Sequence, residues 1–161
     1  MTCKDKLEKY LHEQQVLYQV QQHPIAFTAQ DVAASEHLPG KLVAKVVLVF
    51  ADDKPVMVVL PAPHRVDFPR MSQVLGAKVV RLADEEELNA LFPDCEVGAM
   101  PPFGNLYQLP VYVDQSLAED ETIVFPAGTH TETVRLAYAD FARMVRPNVA
   151  GFARPPQEAM Y

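Results

Sequence analysis

Apolar positions along the chain switch repeatedly between a helical period and strict alternation or short continuous runs. Leu7, Tyr10 and Leu11 share one side of a helix predicted over residues 4–15. Residues 16–22 alternate as a short strand, which His23-Pro24 ends because a residue before proline is pushed out of the helical region. Thr28 is placed to cap a second helix running through Asp31, Val32 and Ala33 and stopped by Leu38-Pro39-Gly40. Two β-branched apolar runs, 42–50 and 55–60, are separated by Ala51-Asp52-Asp53-Lys54 and read as a hairpin.

The interleaving continues downstream. A helix over 67–75 closes at Gly76, and a strand follows over 77–82. Asp84 opens a further helix, with Glu87 completing a capping box and Leu88, Leu91 and Phe92 on its apolar side. Strands are predicted over 106–113, 122–125 and 131–136, then a helix over 138–145 with Arg143 and Arg146 at its C-terminal end. This order gives a single α/β domain over residues 1–152, with a mixed sheet that can roll into a barrel. Residues 153–161 read as a disordered tail.

Composition narrows the function classes. The net charge of −7 over 161 residues argues against a general nucleic-acid coat. It leaves room for a local basic face, since Lys41, Lys45, His64, Arg65, Arg70, Lys78 and Arg81 fall in one middle segment. The acidic run Asp84-Glu85-Glu86-Glu87 is explained by the helix N-terminus it opens. No apolar run approaches the ~20 residues of a membrane span, and the charged N-terminus is not a signal sequence. Cys3 and Cys95 have no metal-ligand spacing and read as free thiols of a cytoplasmic protein.

Two stretches carry candidate chemistry. Gly98-Ala99-Met100-Pro101-Pro102-Phe103-Gly104 is stiff and poor in N–H donors, so its carbonyls suit a ligand that donates hydrogen bonds, such as an ammonium group. The same residues also read as a tight surface turn. Lys45 stands among valines in the 42–50 strand, where a lysine loses its charge, meets an anion or reaches to solvent. Neither a Gly-x-Ser-x-Gly elbow nor a phosphate-cradling glycine motif is present. His130-Thr131-Glu132 lacks the Pro-Cys-x-x-Cys that zinc deaminases require. No metal or cofactor is expected.

Taken in order, His23-Pro24, Phe27-Thr28, Lys45, the Gly98–Pro102 loop and Gly128-Thr129-His130 resemble the YbaK-type aminoacyl-tRNA deacylases. These are relatives of the editing domain inserted in bacterial prolyl-tRNA synthetases. The resemblance spans about residues 7–152 and implies a mixed, barrel-like β-sheet core flanked by helices. It implies hydrolysis of the ester in a mischarged aminoacyl-tRNA carrying alanine, serine, 2-aminobutyrate or cysteine. Lys45 would be the residue required for activity. Gly98, Ala99, Met100, Pro101 and Pro102 would hold the aminoacyl end, with Phe27, Thr28 and His130 lining the pocket. The partner implied is the tRNA acceptor end, weakly and locally bound, with a synthetase or elongation factor as an aid. Neither membrane nor DNA is expected. The alternative is a non-catalytic binding module on the same fold.

Overall fold

The computed structural model describes residues 1–26, 28–36 and 42–155. Helix α1 (Cys3–Glu13) starts at Thr2, whose side chain accepts from the Asp5 N–H while Asp5 reciprocates, and it buries Leu7 and Leu11. Strand β1 (Tyr18–Gln22) follows, then α2 (Ala29–Ser35), capped by Thr28 as the sequence predicts. The stop expected at Leu38-Pro39-Gly40 lies outside the described residues.

Strands β2 (Ala44–Ala51) and β3 (Lys54–Pro61) pair antiparallel over their full length. Asp52 and Asp53 turn the hairpin at φ 46° and 70°, the hand that matches strand twist in a two-residue loop. The two-residue strand β4 (Arg65–Val66) leads into α3 (Phe68–Leu75), capped by Asp67 and closed by Gly76 at φ 62°. Strand β5 (Val80–Leu82) is shorter than expected, because the Asp52 carboxylate takes the N–H groups of Lys78 and Val79. Helix α4 (Glu85–Leu91) has the predicted capping box. The Arg81 guanidinium grips Glu87 and holds its carboxyl down at about 2, so the acidic run is structural.

The strand expected over 106–113 is confined to β6 (Val111–Asp114). A single 3-10 turn, Gly104–Leu106, occupies its start, with the N–H groups of Tyr107 and Leu109 both on the Gly104 carbonyl. Then come α5 (Gln115–Ala118), β7 (Thr122–Pro126), β8 (Glu132–Ala137), α6 (Tyr138–Val145), β9 (Asn148–Ala150) and β10 (Ala153–Arg154).

One mixed sheet has the order β5-β2-β3-β6-β9, and an antiparallel sheet has the order β1-β8-β7. They meet at a parallel bridge between Val43 and Val124. Residues from both sheets, with α1 and α6, enclose one core around Met57, Phe103, Phe125 and Phe141. The other face of the mixed sheet is covered by Met71 of α3 and by Phe152. The barrel-like mixed core flanked by helices is therefore the observed fold. Among the described residues no helix is long and apolar enough to cross a membrane.

Two expectations are corrected. The C-terminal segment is not a free tail from residue 153: β10 pairs antiparallel with β4. The buried Asp114 carboxylate accepts from the N–H groups of Phe152 and Ala153 at 2.9 and 2.8 Å, which fixes the segment against the body. Cys3 and Cys95 are not free thiols either. They form a disulfide with Cα atoms 4.9 Å apart, because the first turn of α1 packs against the segment after α4.

Candidate functional site

Three segments converge where the two sheets part. The first is β2, which carries Lys45 opposite Leu60 of β3. Lys45 is half-buried, and burial, followed by the charge of nearby Arg65, pulls its ammonium below the ordinary lysine value. The second is the start of α2, where Thr28 uses its hydroxyl to cap the helix. The third is the Gly98 loop, closed by one internal hydrogen bond and locked to the 128–130 turn by three more. Glu96 N–H donates to the Gly128 carbonyl, Ala99 N–H to the Glu96 carbonyl, Gly128 N–H to the Ala99 carbonyl, and His130 N–H to the Glu96 carboxylate.

Gly98 has φ +86°, and its α-carbon faces the His130 ring, whose Cε1 lies 3.6 Å from where a Cβ would stand. Gly98 and Ala99 thereby form one wall of a cleft of about 40 Å³. Lys45 and Val46 form another wall, and Thr28 with Val32 a third. His130, Thr129 and Pro126 close it. That volume holds the centres of about three water-sized groups.

The structure thus brings together Lys45, Thr28, Gly98, Ala99 and His130. It does not bring Met100, Pro101 or Pro102 to the cleft; all three are buried, and Met100 packs in the main core. The Ala99 carbonyl is used by Gly128, whereas no backbone N–H of a described residue bonds the carbonyls of Gly98, Met100, Pro101 or Pro102. Phe27 lies outside the described residues, as does Lys41.

Two titratable lining residues were not expected from sequence. Glu132, which alternation marks as an exposed strand residue, is half-buried, pairs with Lys4 of α1 and accepts from the Thr129 hydroxyl. Its hydrogen bond raises the Lys4 ammonium above its ordinary value against the opposing effect of burial. His23 is the second. Its Nδ1 lies 2.7 Å from the Pro24 carbonyl and donates to it. Nε2 is buried and stands 3.8 Å from the Glu36 carboxylate, with both side chains only 2% exposed. Glu36 in turn accepts from the Thr133 hydroxyl at 2.8 Å. Histidine before proline was the available signal, but it reads equally as a strand terminator.

Chemically, this cleft positions and polarises. The Thr133 hydroxyl donates to Glu36 and not to His23, so the set is no nucleophile–base pair of the serine-hydrolase kind. The polar lining offers an ammonium at Lys45, hydroxyls at Thr28 and Thr129, and a carboxylate at Glu132.

The profile of the aminoacyl-tRNA editing domain matches residues 23–144, a span that contains every element of the cleft. The chain belongs to the aminoacyl-tRNA editing domain family. It is 30% identical over 121 residues to a proline–tRNA ligase of Thiobacillus denitrificans, covering 74% of this chain and 20% of the ligase. It is 31% identical over 100 residues to the multifunctional Ser/Thr-tRNA deacylase ProXp-y of Escherichia coli K12, covering 62% of this chain and 59% of that protein. The chain therefore spans about a fifth of the ligase and over half of the deacylase. Two solved structures share the fold. Hypothetical protein APE2540 has a TM-score of 0.84 at 19% identity over 92% of this chain and 99% of its own. A proposed trans-editing enzyme for prolyl-tRNA synthetase has a TM-score of 0.82 at 18% identity over 96% and 98%.

Proposed function

We propose that this editing domain hydrolyses the ester of an aminoacyl-tRNA that carries a small, mismatched amino acid. The observation that carries the reading is the convergence of the Lys45 ammonium and the Gly98-Ala99 wall on one cleft of about 40 Å³. Family membership supports the substrate class, and the deacylase relative's Ser/Thr-tRNA specificity supports a small side chain.

The ester joins the amino acid to a ribose with a neighbouring hydroxyl and is already reactive. The protein need only hold the ester and a water in place and stabilise developing negative charge. Lys45 supplies that charge stabilisation, and its partly desolvated ammonium acts more strongly than one in water. The Gly98 carbonyl, which no backbone N–H of a described residue takes, accepts from the substrate's α-ammonium. Room for about three small groups admits alanine, serine, threonine, cysteine and 2-aminobutyrate and excludes an aromatic ring. One added methylene changes apolar binding by only ~1–3 kcal/mol, so small residues are discriminated weakly among themselves.

The test is deacylation of tRNAs charged with alanine, serine, threonine, cysteine, proline and phenylalanine, by wild type and by Lys45→Ala and Lys45→Met. Wild type should favour the small residues. Each Lys45 variant should lose at least about 100-fold in kcat/KM, the scale of removing one charge-stabilising group, with an unchanged circular-dichroism spectrum. Phenylalanine removed as fast as alanine defeats the small-pocket reading. A folded Lys45→Ala protein with near-normal turnover defeats the role of the lysine. Binding without turnover of any of these tRNAs makes the domain a non-catalytic module.

A further inference from the structure

The C-terminal strand brings a second arginine opposite Arg65. In the β4–β10 ladder, Arg154 is the cross-strand partner of Arg65, so two exposed guanidinium groups stand directly opposite on one face. Like charges in that position destabilise a strand pair. Three other arginines, Arg70, Arg81 and Arg143, each hold a carboxylate. Arg65 and Arg154 hold none among the described residues. The nearest acid in sequence, Asp67, is occupied by capping α3 and by Arg70.

The turn after β3 carries Arg65 back toward β2. Ala62 N–H bonds the Val43 carbonyl and His64 N–H bonds the Pro61 carbonyl, which folds the chain back so that Arg65 lies beside the start of β2. Its charge reaches Lys45 there. On the far side, the Asp114 carboxylate pins Phe152 and Ala153 and so fixes the backbone from which Arg154 projects. Arg154 thus faces Arg65, and Arg65 acts on Lys45, on a molecule whose net charge is −7.

We propose that Arg65 and Arg154 form a clamp for the phosphodiester groups of a single-stranded RNA 3′ end, beside the terminal ribose that Lys45 addresses. The inference rests on the functional reading above and extends it to where the RNA backbone lies. Guanidinium forks match phosphate oxygens in pairs, and an arriving phosphate removes the repulsion between the two arginines. It also favours the charged form of Lys45, which Arg65 alone disfavours. Only a few phosphates are reached, so affinity is modest and depends on salt.

The experiment compares wild type, R65Q/R154Q, R65K/R154K and the control R143Q. One arm measures steady-state deacylation of seryl- and alanyl-tRNA. The other measures fluorescence anisotropy of a labelled five-nucleotide RNA ending in CCA, over a salt series. In R65Q/R154Q, KM and the RNA Kd should rise about tenfold while the loss in kcat is much smaller. The slope of log Kd against log salt should fall by about 1.4, the value for two lost single-strand phosphate contacts. R65K/R154K should restore the slope, and R143Q should resemble wild type. A folded R65Q/R154Q protein with wild-type KM, Kd and slope overturns the clamp, as does an equal effect of R143Q. If wild type deacylates none of the tRNAs, the functional reading fails, and the anisotropy arm decides the clamp alone. Equal RNA binding by wild type and R65Q/R154Q then rejects it, and weaker, less salt-dependent binding by the variant upholds it.

Discussion

A methyl group at Gly128 would meet Cys3 Sγ at 2.7 Å and Cys3 Cβ at 2.8 Å, and the residue sits at φ +95°. Both conditions require glycine: the φ is strained for any side chain, and the disulfide leaves no space. The same residue bonds Ala99 and Glu96 through its N–H and carbonyl, so it also fixes the loop wall of the cleft. Gly128→Ala is expected to cost about 2–4 kcal/mol in urea unfolding, the sum of backbone strain and overpacking. Gly76 provides the contrast. It too has positive φ, at +62°, but nothing lies within 4 Å of a Cβ there. Gly76→Ala should cost only the backbone part, about 1–2 kcal/mol. Equal losses at the two positions would show that contact with the disulfide is unimportant.

Among the elements, the least legible are those held by a distant side chain rather than by their own pattern. Helices α2, α3 and α4 announced themselves through Thr28, Gly76 and Asp84, which act within three or four residues of where they stand. Strands β9 and β10 are three and two residues long and carry no alternation to read. Strand β10 is placed by Asp114, a carboxylate 38 residues away from Phe152 in sequence. Burial raises the Asp114 pKa, but hydrogen bonds from the Ser116 hydroxyl and from the N–H groups of Phe152, Ala153 and Ser116 outweigh it, and the net direction is down. A carboxyl lowered in the folded state stabilises fully above its unfolded value of about 3.9, and the contribution is lost as pH falls through the folded value. Asp114→Ala should therefore cost about 3 kcal/mol at neutral pH, leaving buried N–H groups unpaired. The difference from wild type should shrink below about pH 4. Urea titrations at pH 7 and pH 3 check this. A constant difference across that range would remove the carboxylate's charge from the explanation.

For the whole molecule, the sequence points to the site through residues whose types are odd for their surroundings, such as Lys45 among valines and Gly98 before two prolines. It does not separate the part of that loop facing the cleft from the part entering the core, because Met100, Pro101 and Pro102 are apolar and serve either place. Nor does it show that Cys3 and Cys95 meet, since 92 residues separate them and only the docking of α1 on the segment after α4 brings them together. That bond closes most of the fold into one loop. A crosslink over about 90 residues restricts the unfolded chain by roughly 4–5 kcal/mol in the entropic account, and measured values more often reach ~2–4 kcal/mol. Other contacts at the joint survive reduction: Cys3 N–H donates to the Asp94 carbonyl at 3.0 Å, and Lys6 pairs with the Asp94 carboxylate at 2.9 Å. The folded arrangement should persist without the bond, with the loss felt in stability rather than in the shape of the cleft. The C3A/C95A variant should thus unfold about 2–4 kcal/mol more easily in urea yet deacylate at close to the wild-type rate at 25 °C. In wild type, alkylation of the denatured, unreduced chain should label neither cysteine. Labelling of both would reject the bond, and loss of turnover in a folded C3A/C95A protein would show that the crosslink sets the loop geometry.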